Sequence, residues 1–460
     1  MLEIDGENLT LTQVREVARN EVEVRLSDAA VQKINQSRGT VEAILKTGAP
    51  VYGLNTGFGI FAERRIAGSE LVRLNRNLIL SHATGTGSWL GRDVVRAAML
   101  IRANTLAKGY SGMRLIVIQT ILDMLNRGIT PRIPSQGSLG SSGDLGPLAY
   151  LGLVLSTGPG DLDEESGWAE FAGKVTTGKG AMAAAGLDRI ILEPKEGLAL
   201  NNGATFSAAI GALAISDADN LVTTGDTAAA LSLEALLGCS AAFDERIQAV
   251  RGHPGQIASA ARIRGLIRSS TLVDAAKRVQ DPYSLRCAPQ VHGAVRDTLE
   301  FVRQVLAREI NAATDNPLIF PEEEALSGGN FHGEPVGMAM DYLAIAVSEL
   351  AAISERRIFL LTDARMNAGL PPMLVEESEK AGLNSGLMMP QYTAASLVLE
   401  NRTLAAPDSV NSLPTSAGQE DHNANSMTAA RHAAQVIDNA THVLAVECFA
   451  DCRAITIRLR

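Results

Sequence analysis

A mainly helical fold is predicted for this chain, an N-terminal globular region followed by a long antiparallel bundle of helices. Three observations predict it. Aromatic residues are only 4% of the 460 residues, and alanine, leucine and isoleucine carry the apolar load, which favours helices over sheets. From about residue 204, alanine- and leucine-rich runs follow one another at 205–238, 290–312, 334–362, 390–405 and 427–451. The prolines and asparagines collect between those runs, in spacers such as DPYSLRCAPQ, NAATDNPLIF, GLPPML and NSLPTSAGQ, as they do in turns between antiparallel helices.

Taken in order, residues 8–46 read as short helices, with Ser27 and Asp28 as a cap before AAVQKINQ. VYGLNTGFGIF (51–61) is a glycine-punctuated loop holding apolar side chains. Residues 92–127 have helical periodicity, with Val94, Val95, Ala98, Met99, Ile101 and Leu106 on one broad face, and Pro131 and Pro134 end that region. SQGSLGSSGDLGP (135–147) has no periodicity and runs into LAYLGLVLS, a helix with Pro147 in its first turn. The charged, glycine-rich stretch 156–185 reads as a surface excursion or hairpin. The change of pattern at 198–204 sets the boundary, giving 1–198 as the N-terminal region and 199–460 as the bundle. No repeat of fixed period is present.

Composition excludes several classes of function. Hydrophobic residues at 46% and charged residues at 20% fill a large core and argue against disorder. A formal charge of −10 lacks the basic field that a nucleic-acid binder needs. The acidic, polar start MLEIDGENLTLTQ is neither a signal nor a transit peptide, and no charge-free apolar stretch reaches membrane-spanning length. Cys239, Cys287, Cys448 and Cys452 form no CxxC pair and are too sparse for a disulfide framework. Cys448 and Cys452, at i and i+4, read as buried free thiols on one helix face. A cytoplasmic location is expected. No HxxxH or HExxH pair suggests a metal, no GxGxxG follows a strand to bind a dinucleotide, and the 135–147 loop lacks the lysine of a phosphate-binding loop.

The chemistry is expected in that loop. A glycine- and serine-rich run in isolation is a flexible linker. Here apolar helices flank it on both sides, and Asp144 stands just before a helix start, where a carboxylate caps free amides. A sharply turned glycine loop at a helix N-terminus suits anionic or electrophilic chemistry.

GSLGSSGDLGPLAYL (137–151) resembles the signature of the aromatic amino-acid ammonia-lyases and aminomutases, which is usually Ala-Ser-Gly-Asp at its centre. The resemblance implies a 4-methylidene-imidazol-5-one formed from Ser141, Ser142 and Gly143. The glycine nitrogen closes on the carbonyl carbon two residues earlier, two waters are lost, and Asp144 assists. Glycine leaves the closure unobstructed, and serine supplies the hydroxyl whose elimination leaves the methylidene. Ser141 stands where alanine is usual. Only its carbonyl enters the ring, so serine is expected to be tolerated. Removing ammonia from an α-amino acid then requires an electrophile, a base for the β-proton and fixed dipoles for the developing charge.

The resemblance covers nearly the whole chain and implies further roles. VYGLNTGFG (51–59) makes Tyr52 the β-proton base; without its companions it would read as a packed aromatic beside a glycine turn. EGLALNNGAT (196–205) sets Asn202 against the imidazolone. QDPYSLRCAPQVHGA (280–294) supplies Gln280, Tyr283 and Arg286, with the arginine binding the substrate carboxylate in a bidentate fashion. SGGNFHGEP (327–335) lines the pocket through Phe331, and His332 is read as structural. NAATDNPL (311–318) and SERRI (354–358) match as framework.

Two positions bear on the substrate. NLILSHATGTG (77–87) places His82 at the selectivity position, in a string most similar to the histidine-specific members. PTSAGQEDH (414–422) supplies Glu420, whose carboxylate would hydrogen-bond an imidazole N–H and orient its tautomer. The alternative for Glu420 is a carboxylate satisfying free amides at a helix start. Histidine-branch relatives usually continue with a Val-Ser-Met-Gly-like stretch, whereas this chain reads NANS (423–426). Relatives also usually continue past the equivalent of AITIRLR, a segment that is either dispensable or needed for assembly. The leading expectation is elimination of ammonia from L-histidine to give trans-urocanate. A tyrosine or other aromatic lyase or 2,3-aminomutase, and a non-catalytic helical scaffold, are the alternatives. A homotetramer with sites shared between subunits, a small amino acid as ligand, and neither nucleic acid, membrane, metal nor dinucleotide as partners complete the expectation.

Overall fold

The computed structural model describes residues 1–321, 324–377 and 380–460. Helices dominate, and the chain divides into two compact units. The first comprises Met1–Leu213, Gln304–Met340 and Pro407–Arg431; the second comprises Ala214–Arg303, Asp341–Ala406 and His432–Arg460.

In the first unit, α1 (Leu11–Asn20) and α2 (Asp28–Thr47) follow short parallel strands, β1 (Leu2–Ile4) and β2 (Val24–Leu26). Ser27 caps α2 by accepting from the Ala30 amide, as expected, but α2 is a full 20 residues rather than a short helix. After α3 (Leu71–His82) and β3 (Thr86–Trp89), the predicted helical region 92–127 divides into α4 (Arg92–Ala107) and α5 (Leu115–Asn126). The intervening stretch, with Gly109 and Gly112, breaks the helix. Nearly every side chain of α4 is buried, wider than the one face expected. β4 (Thr130–Pro131) and β5 (Pro134–Gln136) lead to the glycine-serine loop and α6 (Leu145–Leu155). The excursion at 156–185 contains a hairpin, β6 (Trp168–Phe171) with β7 (Lys174–Thr177), before α7 (Gly178–Ala184) and α8 (Glu196–Asn201).

The long helices α9 (Thr205–Ala235), α13 (Ala288–Glu309), α14 (Glu334–Thr362), α15 (Met388–Leu404) and α16 (Ser426–Leu459) follow, with the shorter α10 (Glu245–Ala249), α11 (Pro254–Leu266) and α12 (Tyr283–Arg286) between α9 and α13. Within the second unit the C-terminal turns of α9, α14 and α16 meet the N-terminal end of α13 in one apolar cluster that includes Leu233, Ala288, Leu361 and Ala450. Along α15 and α14, Gln391 bonds Glu355 while Ser348 bonds the Asn401 carbonyl, so these two run antiparallel. Successive long helices therefore alternate in direction, the antiparallel bundle the sequence predicts. Ser354 and Arg357 of the SERRI segment both bond the buried Glu447, which is framework chemistry.

One expectation needs correction here. All four cysteines are free, but Cys448 is half-buried and Cys452 is exposed, because the second unit leaves that face of α16 uncovered. Helix α14 is long and apolar enough by composition to cross a membrane; 67% of its most apolar window is buried in the protein, as in the core helix of a folded domain. Asp341 and Glu349 lie within that helix.

Candidate active site

The glycine-serine loop is rigidly seated. At Gly143 the chain adopts a φ of +80°, and an added Cβ would lie 2.2 Å from the nitrogen and carbonyl carbon of Gly203. Gly203 in turn has a φ of +103° and would clash with Thr314. The two glycines form a parallel bridge, in which the Gly203 amide donates to the Ser142 carbonyl at 3.3 Å and the Asp144 amide donates to the Gly203 carbonyl at 2.9 Å. No other residue allows two backbones to approach this closely. A sequence that reads as a linker is here a buried backbone contact.

Asp144 does not cap its own helix. Its carboxylate is fully buried and accepts from the Ser207 amide at 2.8 Å and the Ser138 hydroxyl at 2.8 Å, with Ser207 Oγ at 3.1 Å. It thus caps the first turn of α9 instead. Burial pushes the Asp144 carboxyl up, against the pull of these hydrogen bonds.

Over the loop lie two adjoining cavities of about 560 and 680 Å³, large enough for an amino acid. Both are lined by Tyr52, Gly59, Ser142, Asn202 and Glu420. The first also has Ser141, Phe331 and His332, and the second has His82 and the apolar side chains of Phe58, Ile60 and Ile66. Every lining residue belongs to the first unit. Among the described residues, no three His, Cys, Asp or Glu side chains gather as a metal site.

The Ser142 hydroxyl donates to Glu420 Oε1 at 3.2 Å, and Thr415 Oγ1 donates to Glu420 Oε2 at 3.2 Å. Glu420 is not a helix-start carboxylate, since α16 begins at Ser426. His82 ends α3, half-buried, with Ser81 Oγ 3.0 Å from its Nδ1. Burial holds its imidazole below the usual histidine range, partly opposed by the negative charge of Glu420. Tyr52 packs edge-on against Phe58, and the Gly59 amide donates to its oxygen at 3.4 Å. Burial raises the phenol above 10, Glu420 adds to that, and the Gly59 contact opposes it. Phe331 is half-buried; its neighbour His332 stacks on His422 with centroids 6.1 Å apart and bonds the His422 carbonyl.

Asn202 is 3% exposed and held at both ends. Its amide donates 3.0 Å to Asp315 Oδ1 and 3.0 Å to the Asn316 carbonyl, while its backbone carbonyl accepts from Arg102. Lys195 Nζ lies 2.6 Å from Asp315 Oδ2, and both side chains are wholly buried. Lys195, Asp315 and Arg102 are the residues that reasoning from sequence missed. Lys195 stands between Glu193 and Glu196 in EPKEGLAL, so the local sequence reads as a solvated charged run and gives no signal that its ammonium is buried against a carboxylate far along the chain.

Gln280, Tyr283 and Arg286 belong to the second unit. Gln280 and Tyr283 are exposed, and the Arg286 guanidinium lies 4.7 Å above the Tyr283 ring. That stacking keeps the guanidinium planar face fixed while its Nε, buried, has no hydrogen-bond partner among the described residues.

Residues 9–460 match the model of a family described as aromatic amino acid lyase. The chain is 50% identical over 458 residues to a histidine ammonia-lyase of Caldanaerobacter subterraneus subsp. tengcongensis, covering 99% of this chain and 88% of that protein. Its structure resembles the crystal structure of histidine ammonia-lyase from Trypanosoma cruzi with a TM-score of 0.89 at 38% identity, covering 99% of this chain and 85% of the other. It also resembles Pantoea agglomerans phenylalanine aminomutase with a TM-score of 0.94 at 33% identity, covering 100% and 91%.

Proposed function

Because this chain belongs to the aromatic amino acid lyase family, we propose that it is a carbon–nitrogen lyase that eliminates ammonia from L-histidine to give trans-urocanate. The observation that carries the choice of histidine is the site's own chemistry. His82 and Glu420 line one cavity with Ser142, and Glu420 lies 3.2 Å from the Ser142 hydroxyl. A carboxylate at that point hydrogen-bonds an imidazole N–H, whereas an unsubstituted phenyl ring offers it nothing.

The residues fit a 4-methylidene-imidazol-5-one built from Ser141, Ser142 and Gly143. The space that a Cβ on Gly143 would fill is taken by Gly203, so the glycine that the closure requires is also the one residue the packing admits. Asp144, held by three hydrogen-bond donors, is poised beside that loop as its positioning carboxylate. When formed, this group supplies an electrophile that turns the amine into a better leaving group.

The chain's own residues do the rest. Tyr52 is the base for the β-proton. Its raised pKa means that this unit alone leaves it largely protonated at neutral pH, so a cation or dipole from the full assembly must favour its anion. Asn202, clamped between Arg102 and Asp315, presents a fixed dipole to the reacting centre. Phe331 and the apolar side of the second cavity exclude water. Arg286, with Gln280 and Tyr283, binds the substrate carboxylate from a neighbouring subunit. A homotetramer with shared sites accommodates this division of labour. Four free cysteines fit a reducing cytoplasm.

The test joins one mass spectrum and one assay. The intact chain should weigh two waters less than its sequence, and the Ser142→Ala variant should not. L-histidine should give a rise in urocanate absorbance. An unmodified Ser142 with no response to any amino acid would support a non-catalytic scaffold. Release of cinnamate or coumarate, or a β-amino acid product, would select another member activity instead.

A further inference from the structure

The hydroxyl of Ser141 takes no part in ring closure, which uses that residue's carbonyl, yet it is neither exposed nor idle. Ser141 is 5% exposed and donates to Oδ1 of Asn423, which is wholly buried. The other end of the Asn423 amide donates to the Leu413 carbonyl, and its backbone amide donates to Ser412 Oγ at 2.7 Å. Asn423 therefore braces the electrophile loop against the 412–420 turn. That turn is closed by the pairing of Thr415 with Glu420, and it carries Glu420 to Ser142. Two adjacent serines, 141 and 142, reach two residues of one segment three positions apart.

The rest of 423–426 grips the same loop. The backbone N–H of Asn425 donates to the Leu139 carbonyl at 2.7 Å. Ser426 Oγ lies 2.9 Å from Ser207 Oγ, which also bonds Asp144. Ser141 and the NANS segment both depart from the family pattern, and they meet in one buried contact. A polar pair here replaces what Ala and Val would make apolar.

We propose that Asn423 is a positioning residue, which through Ser141 fixes the separation between Glu420 and the electrophile loop and so tunes recognition of the imidazole. The proposal rests on the histidine reading of the site. Removing one partner strands a buried donor or acceptor, whereas replacing both by apolar groups strands neither. The two substitutions must therefore be strongly coupled.

The experiment is a double-mutant cycle on the whole protein with Ser141→Ala, Asn423→Val and the double variant. Each chain is weighed, and kcat/KM for L-histidine is followed across pH. Each single variant is expected to keep the loss of two waters and to lose about tenfold in kcat/KM. The position of its pH limb should also move, because Glu420 acts on both Tyr52 and His82. The double variant should lose no more than the worse single one. Losses that multiply, or unmoved pH limbs, overturn the proposal. So does absence of the two-water loss in the singles, which would assign the contact to ring formation. Where a single variant fails to fold, a double variant that folds reads the same coupling as stability, and one that also fails overturns it. A wild-type chain inert toward histidine refutes the histidine reading instead, a separate outcome.

Discussion

The side-chain amide of Asn202 lies 3.0 Å from Asp315 Oδ1, and the other oxygen of that carboxylate is 2.6 Å from Lys195 Nζ. One buried ion pair thus sets the orientation of a residue that faces the candidate active site. Lys195 holds the Asp315 carboxyl below the ordinary range despite burial, which by itself would raise it. Breaking such a pair by Asp315→Ala leaves an uncompensated ammonium and should cost roughly 3–5 kcal/mol, read from denaturant midpoints. Lys195→Met with Asp315→Leu removes both charges and should recover most of that stability. It should not recover kcat, because the Asn202 amide loses its Asp315 acceptor in both variants and keeps only the Asn316 carbonyl.

The approach of Gly143 to Gly203 makes a second prediction. Alanine at either position would meet backbone or Thr314 atoms within 2.2–2.4 Å and would hold an unfavourable φ. Gly203→Ala should therefore abolish the two-water mass loss even though residue 203 contributes no atom to the ring. Gly160, with nothing near its missing Cβ, is the control: Gly160→Ala should retain the mass loss, with at most a modest fall in stability from its φ of +84°. An unmodified mass in the control, or a normal one in Gly203→Ala, would refute the packing argument.

What could be read from the sequence divides along the chain distance between partners. Ser27 is legible as a cap because its partner, the Ala30 amide, is three residues away. The Asp144 carboxylate looks like the same device, yet its backbone partner is Ser207, 63 residues on, and a local pattern carries no trace of that pairing. Lys195 and Asp315 are 120 residues apart and each is unremarkable alone. The candidate residues of the first unit each sit in their own short motif, which is why they could be named from the sequence. Tyr52, His82, Ser142, Asn202, Phe331 and Glu420 line the adjoining cavities together. The exposure of Cys452 was not legible, since i and i+4 spacing says which residues share a face and not whether anything covers it.

If each site is shared between subunits, two inactive variants should complement one another. Ser142→Ala lacks the electrophile, and Arg286→Ala lacks the carboxylate clamp. Chains of the two kinds, unfolded and reassembled together in equal amounts, should recover activity in about one quarter of the sites. Each variant reassembled alone should stay inactive. A mixture no more active than its parents would place Ser142 and Arg286 of each site on the same chain.

The titration of Tyr52 makes the last prediction. Burial and the negative charge of Glu420 both raise its pKa above 10, so its base form grows with pH throughout the neutral range. Histidine elimination should accordingly show kcat/KM rising on the alkaline side, with a limb that reports the free enzyme. Glu420→Gln removes the like charge and makes the tyrosinate less costly, so that limb should move to lower pH even as the absolute rate falls. The same substitution removes the charge that favours the His82 imidazolium, so His82, already below the ordinary histidine range, should titrate lower still. Both shifts point downward for different reasons, one an anion relieved of repulsion and the other a cation losing its partner. They can be separated by NMR of the imidazole and by the pH profile of the reaction. A limb that stays fixed in Glu420→Gln would mean that Glu420 does not act on Tyr52 in the working enzyme.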